Sequence, residues 1–288
     1  MSENPNLLRR IWSALPFTGE PRPRINVIEL EGAIGAAAPG HRALTLRRLE
    51  KAIEAAFKPG DLAAVALAIN SPGGSAVQSR LIFRAIRRLS VEKKIPVLAF
   101  IEDVGASGGY ILALAADEIY ADESSVVGSI GVIAGGFGFQ EAIARLGVER
   151  RLHIAGENKA MLDPFQPENP EDIARLKTIL NDMHAQFIAL VRERRPGKIA
   201  EDPDVFSGAY WTAPKAKDLG LIDGVAHLGD FLRARYGKDV RIKRLSPDAG
   251  SLVRRLMAGG ETRAFPWMDA DAFLAAAERR ALWARFGL

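Results

Sequence analysis

The sequence contains no cysteine and only four histidines in 288 residues. Without thiols there are no disulfides, no thiol nucleophile and no cysteine-ligated metal. His41, His153, His184 and His227 are scattered, and none falls in a metal-type spacing such as H-E-x-x-H, so no metal is expected. An excess of one charge is missing too: 39 basic and 35 acidic residues leave a net charge of +4, which gives no basis for a nucleic-acid partner. Long apolar runs are also absent. In the N-terminal stretch MSENPNLLRRIWSALPFTGEPRPR, Arg9 and Arg10 interrupt the apolar residues. What remains falls short of the ~20 residues of a membrane span and lacks the uninterrupted apolar core of a signal peptide. The expectation is therefore a cytoplasmic protein with neither span nor signal peptide. Leu7, Leu8, Ile11, Trp12, Leu15 and Phe17 beside the two arginines suit either an arm packed on its own domain or subunit, or peripheral contact with a membrane surface.

What is present is ordinary globular composition, 48% hydrophobic and 26% charged, in a chain long enough for a substantial core. TGEPRPR (18–24) reads as a linker, 25–35 as a strand and 41–57 as a helix. A repeating unit follows. AVALAIN (64–70) is a near-continuous apolar strand, SPGGS a turn, and 76–90 an amphipathic helix. IPVLAFIED (95–103) is a second such strand, VGASGG a turn, and YILALAA opens a helix. Short strands are expected in EIYADESS, in VVGSIGVIAG and over 149–154, and helices over 171–195 and 213–219, the latter closed by Gly220. Apolar strands alternating with helices predict an α/β fold, with a largely parallel sheet flanked by helices. Sites in such sheets form at the carboxyl ends of strands, where both glycine-rich turns lie. The last segment is basic and apolar by turns. Its amphipathic stretch 273–286 fits a helix that caps the domain, or one that contacts a membrane or a neighbouring subunit.

Ser107 stands between a buried strand and a helix, flanked by Gly105, Gly108 and Gly109, in a G-x-S-x-G pattern that exposes a serine at a tight turn. The NSPGGS turn (70–75) supplies consecutive glycines whose backbone N–H groups suit an oxyanion hole; it carries no phosphate-loop pattern. A serine nucleophile needs a base. An α/β-hydrolase would use a late histidine, for which His227 is the one plausible residue. A lysine serves instead where withdrawal from water keeps it neutral, and Lys159 in AGENKAMLDPF is that candidate.

Taken in order, INSPGGS, EDVGASGGYILALAADEIYA, SSVVGSIGV, GENKAMLDPF and FSGAYWTAPKAKDLGLIDGV resemble the signal peptide peptidase A-like serine peptidases, peptidase family S49. The resemblance divides the chain into an arm and linker (1–24), a peptidase domain (25–245) and a C-terminal extension (246–288). It implies the Clp protease/crotonase fold, assembly into homo-oligomeric rings, peptide substrates (spent signal peptides or other apolar peptides) and no cofactor. It further implies that Ser107 is the nucleophile, Lys159 the base and Ser129 the residue that positions the lysine. Gly74 and Gly108 would donate the oxyanion-hole N–H groups, with Gly73 allowing the turn. Two features depart from the family pattern: many members carry an N-terminal membrane anchor, and Glu157-Asn158 replaces a version containing an aromatic residue. Two other uses of the fold stay open beside it, a crotonase-type acyl-CoA enzyme and a non-catalytic, ring-forming or membrane-associated scaffold.

Overall fold

The computed structural model describes residues 22–35, 43–58, 61–246, 277 and 280–287. The N-terminal amphipathic segment and most of the C-terminal extension lie outside the described residues. Strands β1 (Arg24–Glu31), β2 (Leu62–Ser71) and β3 (Val97–Ala106) form the centre of one sheet. The shorter β4 (Glu118–Ala121), β5 (Val126–Gly128), β6 (Tyr210–Thr212), β7 (Gly224–Val225) and β8 (Arg241–Leu245) extend it. The main path runs β6-β5-β3-β2-β1-β8, and β4 bridges β3 to β7. Every pairing is parallel except β5 with β6. Along β3, Leu98–Ile101 pair with β4, and Val104–Ala106 pair with β5. That change of neighbour lets the end of β3 open toward β5.

Helices cover both faces, which is why β2 reads as an unbroken apolar run. On one face, Ile28, Leu30, Leu67 and Ile69 pack with Leu49 and Ile53 of α1 (Leu46–Ala56), Ile82 and Ile86 of α2 (Ala76–Lys93), and α3 (Gly108–Ala113). On the other, Ile25, Val27, Ala66 and Phe100 meet Leu228 and Leu232 of α7 (Leu228–Tyr236). Local chemistry sets the helix ends. Ser75 caps α2 by accepting from Gln78 N at 3.3 Å. The long α5 (Pro170–Arg194) starts with Asn169 as cap, proline in its first turn and two acids there, and ends in two arginines that suit its dipole. Between them lies α4 (Gln140–Arg145), and α6 (Ala213–Asp218) is closed by Gly220 at φ +77.

One expected strand is absent. Residues 149–154 join no sheet and are exposed. Alternation of apolar and polar residues makes a strand only where a partner edge is free, and β6 occupies the outer edge of β5. No helix among the described residues is long and apolar enough to cross a membrane.

A buried ion pair locks the end of α5 to the sheet. Arg195, 3% exposed, donates from Nη1 to Asp223 at 2.6 Å and from Nε to the Gly220 carbonyl at 2.9 Å. Asp223 also accepts from Lys198 Nζ at 2.6 Å and from Ile119 N at 2.8 Å. Burial raises the Asp223 carboxyl, but the hydrogen bonds from Arg195, Lys198 and Ile119 outweigh it and hold the group below the usual carboxylate range. A carboxyl depressed in the folded state stabilises fully above its unfolded pKa and loses that contribution as pH falls through the folded value. Asp223→Asn is expected to cost about 3 kcal/mol at neutral pH by leaving the Arg195 charge without its partner. In urea unfolding, the gap between wild type and variant should close as pH falls below about 3.9; a gap independent of pH would contradict this.

Candidate active site

The parallel pairing of β2 and β3 brings two turns together. Ser71, the last residue of β2, is in register with Gly105, so Pro72-Gly73-Gly74 runs beside Ser107-Gly108. Ser107 sits between the end of β3 and the start of α3 with φ 53° and ψ −121°, a region L-residues rarely adopt and one that costs about 1–3 kcal/mol. Backbone bonds hold it there: its N–H donates to Gly128 O at 2.8 Å, and its carbonyl accepts from Tyr110 N at 3.0 Å and Ile111 N at 3.1 Å.

Contact between the turns demands glycine. A Cβ on Gly73 (φ +100) would stand 2.8 Å from both Ser107 Cβ and Gly108 N. One on Gly74 (φ +138) would stand 2.2 Å from the Ile34 carbonyl oxygen. The two glycines then differ in their N–H groups. That of Gly73 donates to Ser71 Oγ at 3.3 Å. Those of Gly74 and Gly108 have no intramolecular acceptor among the described residues, and both residues line the same cleft as Ser107. For Gly108 this follows from its place at the first position of α3, where a helix N–H has no intrahelical acceptor.

Ser129 follows β5, also at positive φ (53°), and its N–H donates to Ala209 O at 2.7 Å. It lines the cleft as well. Because Gly128 carries the acceptor for the Ser107 N–H, the Ser129 turn and the Ser107 turn share one backbone hydrogen bond.

Of the sequence-predicted residues, the structure thus brings Ser107, Gly108, Gly74 and Ser129 to one cleft of about 950 Å³, with Gly73 packed beneath. It does not bring Lys159 there. Lys159 is exposed on a turn, where its N–H donates to Gly156 O at 3.1 Å. His227 stands just before α7 with an exposed side chain that makes no capping hydrogen bond, and no histidine among the described residues lines the cleft. Nor does any group of acidic and histidine side chains among the described residues suit a metal ion.

Several cleft residues were not anticipated. Arg80 and Arg84 lie one turn apart on α2, and Met183 and Phe187 on α5. Spacing of i, i+3, i+4 and i+7 from Val77 was the available signal for Arg80, Leu81 and Arg84. Leu282 and Arg285 reach the cleft from the C-terminal turn, 280–287. Its Phe286 and Trp283 pack on Val104 and Ala106 of β3, so this part of the extension caps the domain.

The contact between turns makes a direct prediction. Gly73→Ala is expected to slow phosphonylation of Ser107 by a serine-reactive phosphonate about 100-fold, because displacement by an ångström at a reacting group costs that order. An unchanged rate in the folded variant would show that the close approach is not needed.

The profile of peptidase family S49 matches residues 90–240. A putative protease of Synechocystis sp. is 32% identical, over 86% of this chain and 87% of its own. A Brucella abortus protein named as the Na(+)/H(+) antiporter NhaA is 49% identical over 92% of this chain, but the chain spans only 37% of that protein's length. Among solved structures, the membrane-bound stomatin-specific protease 1510-N, as a mutant in complex with a substrate peptide, matches with a TM-score of 0.50 at 18% identity, over 82% of this chain and 97% of that one. That likeness shows the shared fold, a mostly parallel sheet between helices. The chain belongs to peptidase family S49, the serine peptidases of the Clp protease/crotonase fold.

Proposed function

We propose that this chain is a serine endopeptidase acting on apolar peptides, spent signal peptides among them, with Ser107 as nucleophile and Lys159 as general base. The observation that carries the reading is Ser107 itself: a serine held in a rare conformation, in a cleft shared with two unpartnered N–H groups, on a chain of family S49. In this reading Lys159 Nζ takes the proton from Ser107 Oγ as the oxygen attacks the peptide carbonyl carbon. The Gly74 and Gly108 N–H groups hold the resulting oxyanion. Its collapse expels the amine, which receives the proton from Lys159. Water, deprotonated in turn by Lys159, then attacks the acyl ester; the bond to Ser107 Oγ breaks, and Oγ takes its proton back from Lys159. Ser129 positions the lysine, and the substrate lies extended beside the glycine turn.

Lys159 can serve only once it is withdrawn from water and brought to Ser107. The segment that carries it, 131–169, is exposed over most of its length and displays Ile133, Phe137, Leu146, Val148 and Ile154 to solvent. Apolar surface of that extent favours coverage by another copy of the chain, so the reading includes a homo-oligomer in which this segment is packed and the base is seated. It places the protein in the cytoplasm, peripheral to the membrane where its amphipathic termini make contact, and requires no cofactor. The exposed Lys159 is also the one observation that favours a non-catalytic scaffold of the same fold.

Hydrolysis of a quenched fluorescent apolar peptide separates the two. Ser107→Ala should abolish turnover, and Lys159→Ala should lower kcat by about 100- to 10,000-fold. Wild-type turnover by Lys159→Ala would remove the lysine from the mechanism, and no turnover by wild type at any protein concentration would favour the scaffold.

A further inference from the structure

The cleft beside Ser107 is lined by three arginines, Arg80, Arg84 and Arg285, and, among the described residues, by no carboxylate. The arginines of α2 that lie off the cleft are paired: Arg87 with Asp117 at 2.7 Å and Arg88 with Glu92 at 3.2 Å. Arg80, Arg84 and Arg285 have no ion-pair partner among the described residues. The same helix thus pairs the arginines that face away and leaves unpaired the two that face the cleft.

Arg285 is held in place rather than trailing. Its carbonyl accepts from Tyr210 Oη at 2.8 Å, and the Tyr210 ring meets Phe286 edge-on at 5.0 Å. Phe286 in turn is buried against Val104 and Ala106, at the end of the strand that delivers Ser107. Apart from Gln186 and three serines, the remaining side chains of the lining are apolar, with Leu81, Ile111, Met183, Phe187 and Leu282 among them. At about 950 Å³ the cleft exceeds what one side chain fills and lies at the upper end of drug-sized sites, so it has room for several residues.

Cations with low-dielectric walls and no acid beside them focus a positive potential into a cleft, and guanidinium pairs with carboxylate through parallel N–H···O bonds. Resting on the peptidase reading, we propose that this cleft selects peptides that combine an apolar residue at the scissile bond with a carboxylate a few residues away. The carboxylate is an acidic side chain or a free C-terminus. Recognition is divided: the apolar lining takes the residue next to Ser107, and the arginines at the cleft wall take the charge.

The test uses Ser107→Ala, which binds without cutting, and labelled peptides that share an Ala-Leu-Ala centre and carry Glu, Gln or Lys at one flanking position. All have blocked ends, and a further Gln peptide keeps its free C-terminal carboxylate. In fluorescence anisotropy the Glu peptide should bind about fivefold tighter than the Gln peptide, the size of one modest ion pair, and the Lys peptide weaker still. A gain by the free-carboxylate peptide over its blocked twin assigns the preference to a C-terminus, and a gain by Glu alone assigns it to a side chain. Adding Arg84→Glu or Arg285→Glu, both at exposed positions, should reverse the ranking of Glu and Lys.

Equal affinity for all the peptides overturns the proposal, as does a ranking unmoved by both reversals. Binding to phosphatidylglycerol vesicles that depends on these arginines, with peptides ranked equally, would assign the charge to a lipid surface and overturn it too. The peptidase reading fails differently. Wild type that ranks the peptides by charge yet cuts none sinks the peptidase and supports the selection. Equal cutting and equal binding of all of them does the reverse.

Discussion

The site depends on one close approach, that of the Gly73 backbone to Ser107 and Gly108. Parallel pairing of β2 with β3 sets the two turns side by side, and the absence of a side chain at Gly73 lets them touch. Three consequences follow from that contact. The Gly73 N–H turns inward to Ser71, the Gly74 N–H is left for the cleft, and the Gly108 N–H lies beside it at the head of α3. Gly109 extends the same logic, since a Cβ there would stand 2.3 Å from the Ser71 carbonyl oxygen. The strained Ser107 backbone persists because the strands on both sides fix it.

The far end of α3 is anchored with equal care. The carbonyls of Leu114, Ala115 and Ala116, which follow it, are buried and take their donors from arginine side chains. Arg194 donates from Nε to Leu114 O and from Nη2 to Ala116 O, each at 2.9 Å, and Arg87 donates to Ala115 O at 3.3 Å. From within the helix, the buried Tyr110 hydroxyl donates to Leu221 O at 2.7 Å, and burial pushes its pKa up, keeping it a neutral donor. Leu221 is next to Gly220, which accepts from Arg195 of the buried ion pair. The short helix behind Ser107 is therefore tied to α5 and to the Asp223 network. Stability of the fold and placement of Ser107 draw on the same residues.

Local pattern made much of this legible. The apolar runs of β2 and β3, the periodicity of α2 and α5, and the glycines around Ser107 each reflect a short-range rule, and each element formed where the rule put it. The strand expected over 149–154 failed because alternation describes a chain's own faces and says nothing of whether a neighbour is available. Lys159 became the candidate base only through the order of the family's motifs. Its immediate neighbours do not distinguish a base from a solvated lysine, and the single chain leaves it in solvent. The C-terminal turn was legible as amphipathic but not as a wall of the cleft, because Phe286 meets Val104 and Ala106 across more than half the chain. The cleft arginines were hidden for a different reason: a charge balance near neutrality masks a local excess of one sign.

The central claim is that Ser107 is a nucleophile activated by its turn. Incubation of the intact protein with a serine-reactive phosphonate, followed by proteolytic mapping in a mass spectrometer, tests it most directly. The account predicts a single covalent adduct, located on Ser107 and missing from Ser107→Ala. An adduct on another serine, or none on a folded and assembled protein, would contradict it.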